Sequence, residues 1–449
     1  MTFPAYPQYK DSGAEWLGEI PQHWKIFLAK RLFRNARDTA QSGSEQLAAT
    51  QAYGVIPQKD FMEKNDVKVV LALAGTQNFK GVLADDFVIS LRSFQGGIEH
   101  SAYDGCVSPA YTVLRRNTEN DVYPGLFKYL LKEDAYISAL QSVTTGIREG
   151  KTITYDQFGS LLLPVAASSE QTQIARFLDH ETARIDALIE EQQRLIELLK
   201  EKRQAVIFQT VTKGLDPTVL MKDSGVEWLG EVPAHWICKS YRYASVIYRG
   251  KFSHRPRNDP SLYGGDFAFI QTGDIARADK YIRDYKQTLN EKGVAVSQKF
   301  PAETLVMAIA ANVGDTAILG FEAYAPDSVV GFKPEKGIEL EFLRFSLIAA
   351  LQELKKTSTQ STQANLNIDR ISGIQSAFPP VTEQVEITVY LNVLMEQFSL
   401  LEQQATASIE LMNERRSALI SAAVTGKIDV RGWQPPASAQ TPELAQEAV

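Results

Sequence analysis

Two stretches of this chain carry a helical rhythm far longer than any other. Between Glu170 and Val211, positions 174, 178, 181, 185, 188, 192, 195, 199, 202 and 206 follow one another in alternating steps of four and three. They hold Ile174, Leu178, Glu181, Ile185, Leu188, Gln192, Leu195, Leu199, Lys202 and Val206. The positions 213 residues later hold Ile387, Leu391, Leu394, Phe398, Leu401, Ala405, Ser408, Met412, Arg415 and Leu419. Most are apolar in both, which predicts two helices with a seam of coiled-coil type. Neither proline nor glycine interrupts 170–211, so the first helix can run roughly 60 Å at 1.5 Å per residue. Ser169 with Thr172, and Thr382 with Glu386, offer polar starts, while Gly214 and Gly426 offer stops. Two matched seams in one chain pair most simply with each other, antiparallel.

Elsewhere the apolar pattern shortens to strand-like runs broken by glycine, such as VLADDFVISLRSF, CVSPAYTVL, DFAFIQTGDI and ETLVMAIAANVGDTAIL. Helical patches, PGLFKYLLKEDAYISAL and EFLRFSLIAALQELKK, come late in each region. Two dissimilar mixed α+β domains are expected, at 25–163 and 237–378. Each follows a short peptide, KDSGAEWLGEIPQHW (Lys10 to Trp24) or KDSGVEWLGEVPAHW (Lys222 to Trp236), with 12 of 15 residues identical at an offset of 212. The long helices repeat at 213, with Glu170–Gln171 matching Glu383–Gln384 and Val211–Thr212 matching Val424–Thr425. Nearly equal offsets mean one unit written twice, a domain duplication rather than a solenoid. The order is a motif region (1–24), a globular domain (25–163), a long helix (164–221), the repeated motif (222–236), a second domain (237–378), a distal helix (379–430) and a tail (431–449) expected to be disordered.

Composition narrows the class. Hydrophobic residues make up 44% and charged residues 22%, as in ordinary globular proteins. The N-terminal MTFPAYPQYK lacks the apolar core of a signal peptide, and no window approaches a membrane span. Cys106 and Cys238 stand apart, outside any zinc or disulfide spacing, which suits a cytoplasmic protein without a metal site. Net charge is −7, so any nucleic-acid contact must come from local basic faces. No GxxxxGK[ST] phosphate loop occurs, and the Pro-Pro pairs FPPV and QPPA do not fit the Asn/Asp-Pro-Pro-aromatic signature of adenine methyltransferases. Neither the ATP motif nor the adenine-methylation motif is thus present in the sequence. His23 and His235 belong to the repeated peptide, where a packing or capping role beside Trp24 and Trp236 is favoured over a catalytic pair.

The paired peptides, the paired helices opened by Glu-Gln, and their endings VTKGLD and VTGKID resemble the specificity subunit of type I DNA restriction-modification enzymes. VISLRSFQGGIEHSAYDGCVSPAYTVL is similar to a common form of the family's target recognition domain, and FIQTGDI and TSTQSTQANLNIDRI to elements of the second. The resemblance covers nearly the whole chain. It implies two target recognition domains, each reading one half of a bipartite, asymmetric site on double-stranded DNA, with the helices as an antiparallel coiled-coil spacer. It also implies two modification subunits that hold S-adenosylmethionine and methylate adenine. Restriction subunits, joined through them, would use ATP and Mg for translocation and cleavage; no cofactor is expected in this chain. A related methyltransferase system without a cleavage subunit, and a two-lobed scaffold that does not bind DNA, are the alternatives.

Local charge agrees with DNA. Lys25 to Arg37 holds five basic residues including Arg34, and Lys239 to Arg257 holds six including Arg249, Lys251 and Arg255, neither run with an acid. The second is interleaved with Tyr241, Tyr243, Tyr248 and Phe252. Base readers are expected among polar loop residues that match base-edge donors and acceptors. The loop TTGIREGKTIT offers Thr145, Arg148 and Lys151; TSTQSTQANLN offers Thr359, Gln360, Ser361 and Gln363; SLRSFQGG offers Arg92, Ser93 and Gln95. Gln271, Thr272 and Asn312 are weaker candidates in the second domain. The first long helix, with eight acidic and seven basic residues from Glu170 to Lys213, suits holding partners apart better than gripping phosphate.

Overall fold

The computed structural model describes residues 3–65, 78–90, 97–117, 121–143, 153–356 and 366–436. Two long helices dominate, Ser168–Lys213 and Val381–Val424, close to the predicted spans. They begin one residue earlier than the expected polar starts, at Ser168 and Val381. The expected glycines do end them. Gly214 takes φ +79° and its N–H donates to the Thr210 carbonyl; Gly426 takes φ +73°, with Lys427 N–H donating to Ala422 O. A left-handed residue that lets the chain turn back onto the last carbonyls is a position glycine fills without strain.

The chain divides into two compact units, Met1–Gln192 with Ala407–Val449, and Gln193–Thr406. The division falls within both long helices, so each unit owns the start of one and the end of the other. In the first unit Ile174 and Leu178 share a core with Ala423 and Val424, and Arg416 Nε donates to Asp186 Oδ1 at 2.8 Å. In the second, Ile207 and Val211 share a core with Ile387 and Leu391. Start beside end is the antiparallel sense. Ile174, Leu178, Ile185, Leu199, Ile387, Leu391, Phe398 and Ala405 are buried on the seam, whereas Leu188, Leu195 and Leu401 remain 40–46% exposed. A pair of helices encloses only one side of such residues.

The globular domains, expected to be dissimilar, share one frame. Strand Lys25–Leu28 pairs antiparallel with Leu162–Val165, Lys25 facing Val165; strand Ile237–Ser240 pairs antiparallel with Gln375–Phe378, Ile237 facing Phe378. These registers are equivalent under the offsets of 212 and 213. A four-residue helix follows in each, Ala29–Leu32 or Tyr241–Ala244, and then the edge strand of the central sheet. That sheet runs Phe33–Ala36, Thr112–Arg116, Phe87–Ile89, Ile98–His100 in the first domain. In the second it runs Ser245–Arg249, Val329–Pro334, Leu305–Ala308, Thr316–Leu319, with Tyr281–Ile282 added beyond. Strand order and antiparallel sense match across all four. The duplicated unit thus includes the globular domains, whose sequences diverged over a kept topology.

The repeated peptide folds as a hairpin. Tyr9–Asp11 pairs with Glu19–Pro21, and Met221–Asp223 with Glu231–Pro233. Asp11 Oδ1 accepts from Gly13 N–H at 2.9 Å, and Asp223 Oδ1 from Gly225 N–H at 3.0 Å. This short-range turn uses the Asp-Ser-Gly of both copies, with the glycines at positive φ.

Candidate nucleic-acid interface

Each hairpin ends by delivering a His-Trp pair to the first turn of the long helix in its own unit. His23 Nε2 lies 2.7 Å from Glu170 Oε2, and Trp24 Nε1 donates to Glu170 Oε1 at 3.0 Å. In the second unit His235 Nε2 lies 2.8 Å from Glu383 Oε2, and Trp236 Nε1 donates to Glu383 Oε1 at 3.0 Å. The neighbouring glutamines knit helix to domain. Gln171 Nε2 donates to Ala166 and Asp121 carbonyls and its Oε1 accepts from Tyr123 N–H; Gln384 does the same with Pro379, Gly337 and Glu339. A carboxylate near a helix N-terminus is favoured by the helix dipole, and its buried oxygens are satisfied by the indole and imidazole. Both histidines thus lie beside their tryptophans on a glutamate of a long helix. Trp228 Nε1 donates to Gln375 O, and its ring lies 6.2 Å from Phe208 on the first long helix. Trp16 packs instead on Tyr136 of the globular domain.

In the first domain the basic run is amphipathic. Ala29, Leu32, Phe33 and Ala36 are buried, while Lys25, Lys30, Arg31, Arg34 and Arg37 face outward. Arg34 lies beside a cleft of about 570 Å³ that also takes in Arg115, Arg116 and Asn117. Arg115 is committed to the protein, its guanidinium on Asp86 at 2.7 Å and on Asp38 at 2.6 Å. Arg34 leans on Asp38 only at 3.9 Å, and Arg116 is exposed with one long bond to the Val122 carbonyl. Arg116 and Asn117 join the candidates, and neither was among those expected from the sequence. Their signal was the Arg-Arg-Asn that ends the run YTVLRRN. Tyr155, just after the TTGIREGKTIT loop, donates its hydroxyl to Phe33 O and so ties that loop's exit to the strand bearing Arg34.

In the second domain Arg249 and Lys251 are exposed on either side of Gly250, where a Cβ would strike Pro326 O at 1.9 Å. Arg255 is largely occupied: Nη1 donates to Phe252 and His254 carbonyls at 2.6 and 2.8 Å, and Nη2 lies 3.6 Å from Asp327. The interleaved aromatics are mostly packing residues. Phe252 is buried against Tyr263 and Phe269, Tyr241 is fully buried with its hydroxyl on Ser346, and Tyr248 packs on Phe300; Tyr243 alone of the four is strongly exposed. Gln271, exposed, precedes a short helix Thr272–Arg277 and donates to Gln287 Oε1 at 2.6 Å, while Asn312 Nδ2 reaches Thr272 O at 3.5 Å. The three weaker candidates are therefore neighbours. Arg92, Ser93, Gln95, Thr145, Arg148, Lys151, Thr359, Gln360, Ser361 and Gln363 lie outside the described residues.

Comparison with known proteins points the same way as the sequence motifs. The model of the type I restriction modification DNA specificity domain matches residues 255–411. The type I restriction enzyme EcoKI specificity subunit of Escherichia coli is 21% identical over 387 residues, spanning 80% of this chain and 77% of its own. A protein assigned as the MjaX specificity subunit of Methanocaldococcus jannaschii is 18% identical over 438 residues, covering 92% and 96%. Over most of its length the chain is thus similar to type I specificity subunits. A solved structure concerned with complex assembly and conformational transition of the type I R-M system covers 91% of this chain and 99% of its own chain, at 15% identity and a TM-score of 0.64, which is agreement in fold. Among the described residues, no helix is long and apolar enough to cross a membrane, and no group of three or more His, Cys, Asp or Glu could hold a metal.

Proposed function

We propose that this chain is a type I specificity subunit that reads a bipartite, asymmetric DNA site, one half-site per globular domain, with the spacer set by the paired long helices. It would direct modification subunits, two per chain, to an adenine in each half-site, and restriction subunits through them. S-adenosylmethionine, ATP and Mg would reside on those partners, and this chain would supply address and spacing without chemistry of its own. The observation that carries the reading is the shared frame. Two domains with one strand order stand on equivalent hairpin-and-helix anchors, yet their loops and exposed cations differ. Equivalent mounts with different reading surfaces suit one asymmetric site better than a palindrome.

The partner reading draws support from the second long helix. Val381, Val385, Val389 and Val393 recur every four residues and are 44–59% exposed, as is Leu400 at 55%. A row of exposed valines on a long helix suits a partner helix. Footprinting the assembled complex on its target tests the proposal. Two protected blocks separated by an interval indifferent to sequence are expected, and one continuous recognised block would contradict it.

A further inference from the structure

A cavity of about 690 Å³ lies between the first globular domain and the last turns of the second long helix. Its size is that of a small-molecule site. Glu99 lies on its wall, fully buried, in strand Ile98–His100. One carboxyl oxygen, Oε2, lies 2.5 Å from Lys132 Nζ, while Oε1 has no hydrogen-bond partner among the described residues. A buried acceptor without a partner costs on the order of 1–3 kcal/mol, which a ligand's N–H would recover. Burial also pushes the Glu99 carboxyl up from its ordinary range, against the opposing pull of Lys132.

The mouth has a different character. Tyr53 and Tyr103 are each more than two-fifths exposed and line the cavity. Lys64 Nζ sits 4.8 Å over the Tyr53 ring and has no carboxylate partner among the described residues, whereas Arg416 at the helix wall is already paired with Asp186. An acceptor at depth, aromatic faces at the mouth and a cation beside one of them match the three parts of a nucleotide. A carboxylate accepts from the exocyclic amine of a base, a tyrosine face stacks on the ring, and an ammonium meets the phosphate.

We infer that this cavity binds a nucleotide whose base carries an exocyclic amine, either free or as a residue extruded from a strand. The test uses the full chain, titrated calorimetrically with AMP, CMP, GMP and UMP, and by anisotropy with labelled single strands of dA and dT. AMP, CMP or GMP is expected to bind at least about tenfold more tightly than UMP, because UMP has no amine to give Glu99. Glu99→Leu, which removes both acceptor oxygens, should abolish that preference. Tyr53→Ala and Lys64→Ala, both at exposed positions, should weaken binding while leaving the unfolding midpoint unchanged. If mononucleotides do not bind but dA does, in preference to dT and with the same sensitivity to Tyr53→Ala and Lys64→Ala, the ligand is a residue of a strand. Absence of binding in both arms, equal binding of UMP, or indifference to Tyr53→Ala and Lys64→Ala would overturn the inference.

Discussion

At the scale of residues, the two clamps are equivalent in plan and unequal in depth. Glu170 is buried and also accepts from the Tyr6 hydroxyl at 2.7 Å, while Glu383 is 26% exposed and its carboxylate is held by His235 and Trp236. Glu170→Ala is expected to destabilise its unit by about 3 kcal/mol, because it strands a buried phenol and indole; Glu383→Ala should cost about half as much. Chemical denaturation of the two variants checks the order, and an equal or reversed effect would refute it. Burial and Glu170 also hold the Tyr6 phenol far above its usual value, and burial pushes Tyr241 up to about 12. A group raised on folding contributes stability that is complete below the unfolded value and lost as pH climbs. Resistance to denaturant should therefore decline from about pH 10 upward, less steeply in Tyr6→Phe. None of these contacts was visible in local sequence. His23 and Glu170 are 147 residues apart, and only the repetition of both at matching offsets hinted that they meet. The basic positions were legible as a face, but not which cations are already engaged. Lys251→Glu is expected to weaken DNA binding by the assembled complex across all sequences and reduce the salt slope by about one, whereas Arg255→Glu should first disturb the local turn. Measuring affinity against salt concentration separates the two.

At the scale of elements, the long helices were readable because nothing interrupts their periodicity for over forty positions. Their stops were readable because left-handed glycines close them. Gly426→Ala should cost more than Gly214→Ala, since its Cβ would meet Pro21 Cδ at 2.4 Å, against a closest approach of 3.3 Å at Gly214. Thermal unfolding ranks them. The strands were much less legible. Those of the central sheets run two to six residues, too short for periodicity to speak, and the identity of the two sheets lies in strand order and register. Side chains can drift while backbone pairing persists, which is why Lys25 facing Val165 and Ile237 facing Phe378 reveal a duplication that their identities hide. If the helices act as a ruler, inserting about one turn between Gln192 and Gln204 should lengthen the tolerated spacer by a base pair or more. An unchanged spacer, read from methylation sites, would exclude that role.

At the scale of the molecule, duplication explains why one peptide is written twice. Each hairpin fastens a globular domain to the start of one long helix, and in the same unit the other helix ends beside it. Pro21 and Trp24 crowd Gly426 in the first unit, and Pro233 and Trp236 flank Gly214 in the second. Kept anchors with diverged domains fit the two-part address proposed above. Replacing Arg148 or Lys151 should accordingly relax one half-site and leave the other intact, whereas equal loss at both would break the assignment of one domain to one half-site. The most direct measurement of the central claim is the methylome of cells expressing this chain with its modification subunit. Methylated adenines in a two-part, asymmetric motif with a fixed gap are the expected result, and a single continuous motif or a perfect palindrome would contradict it.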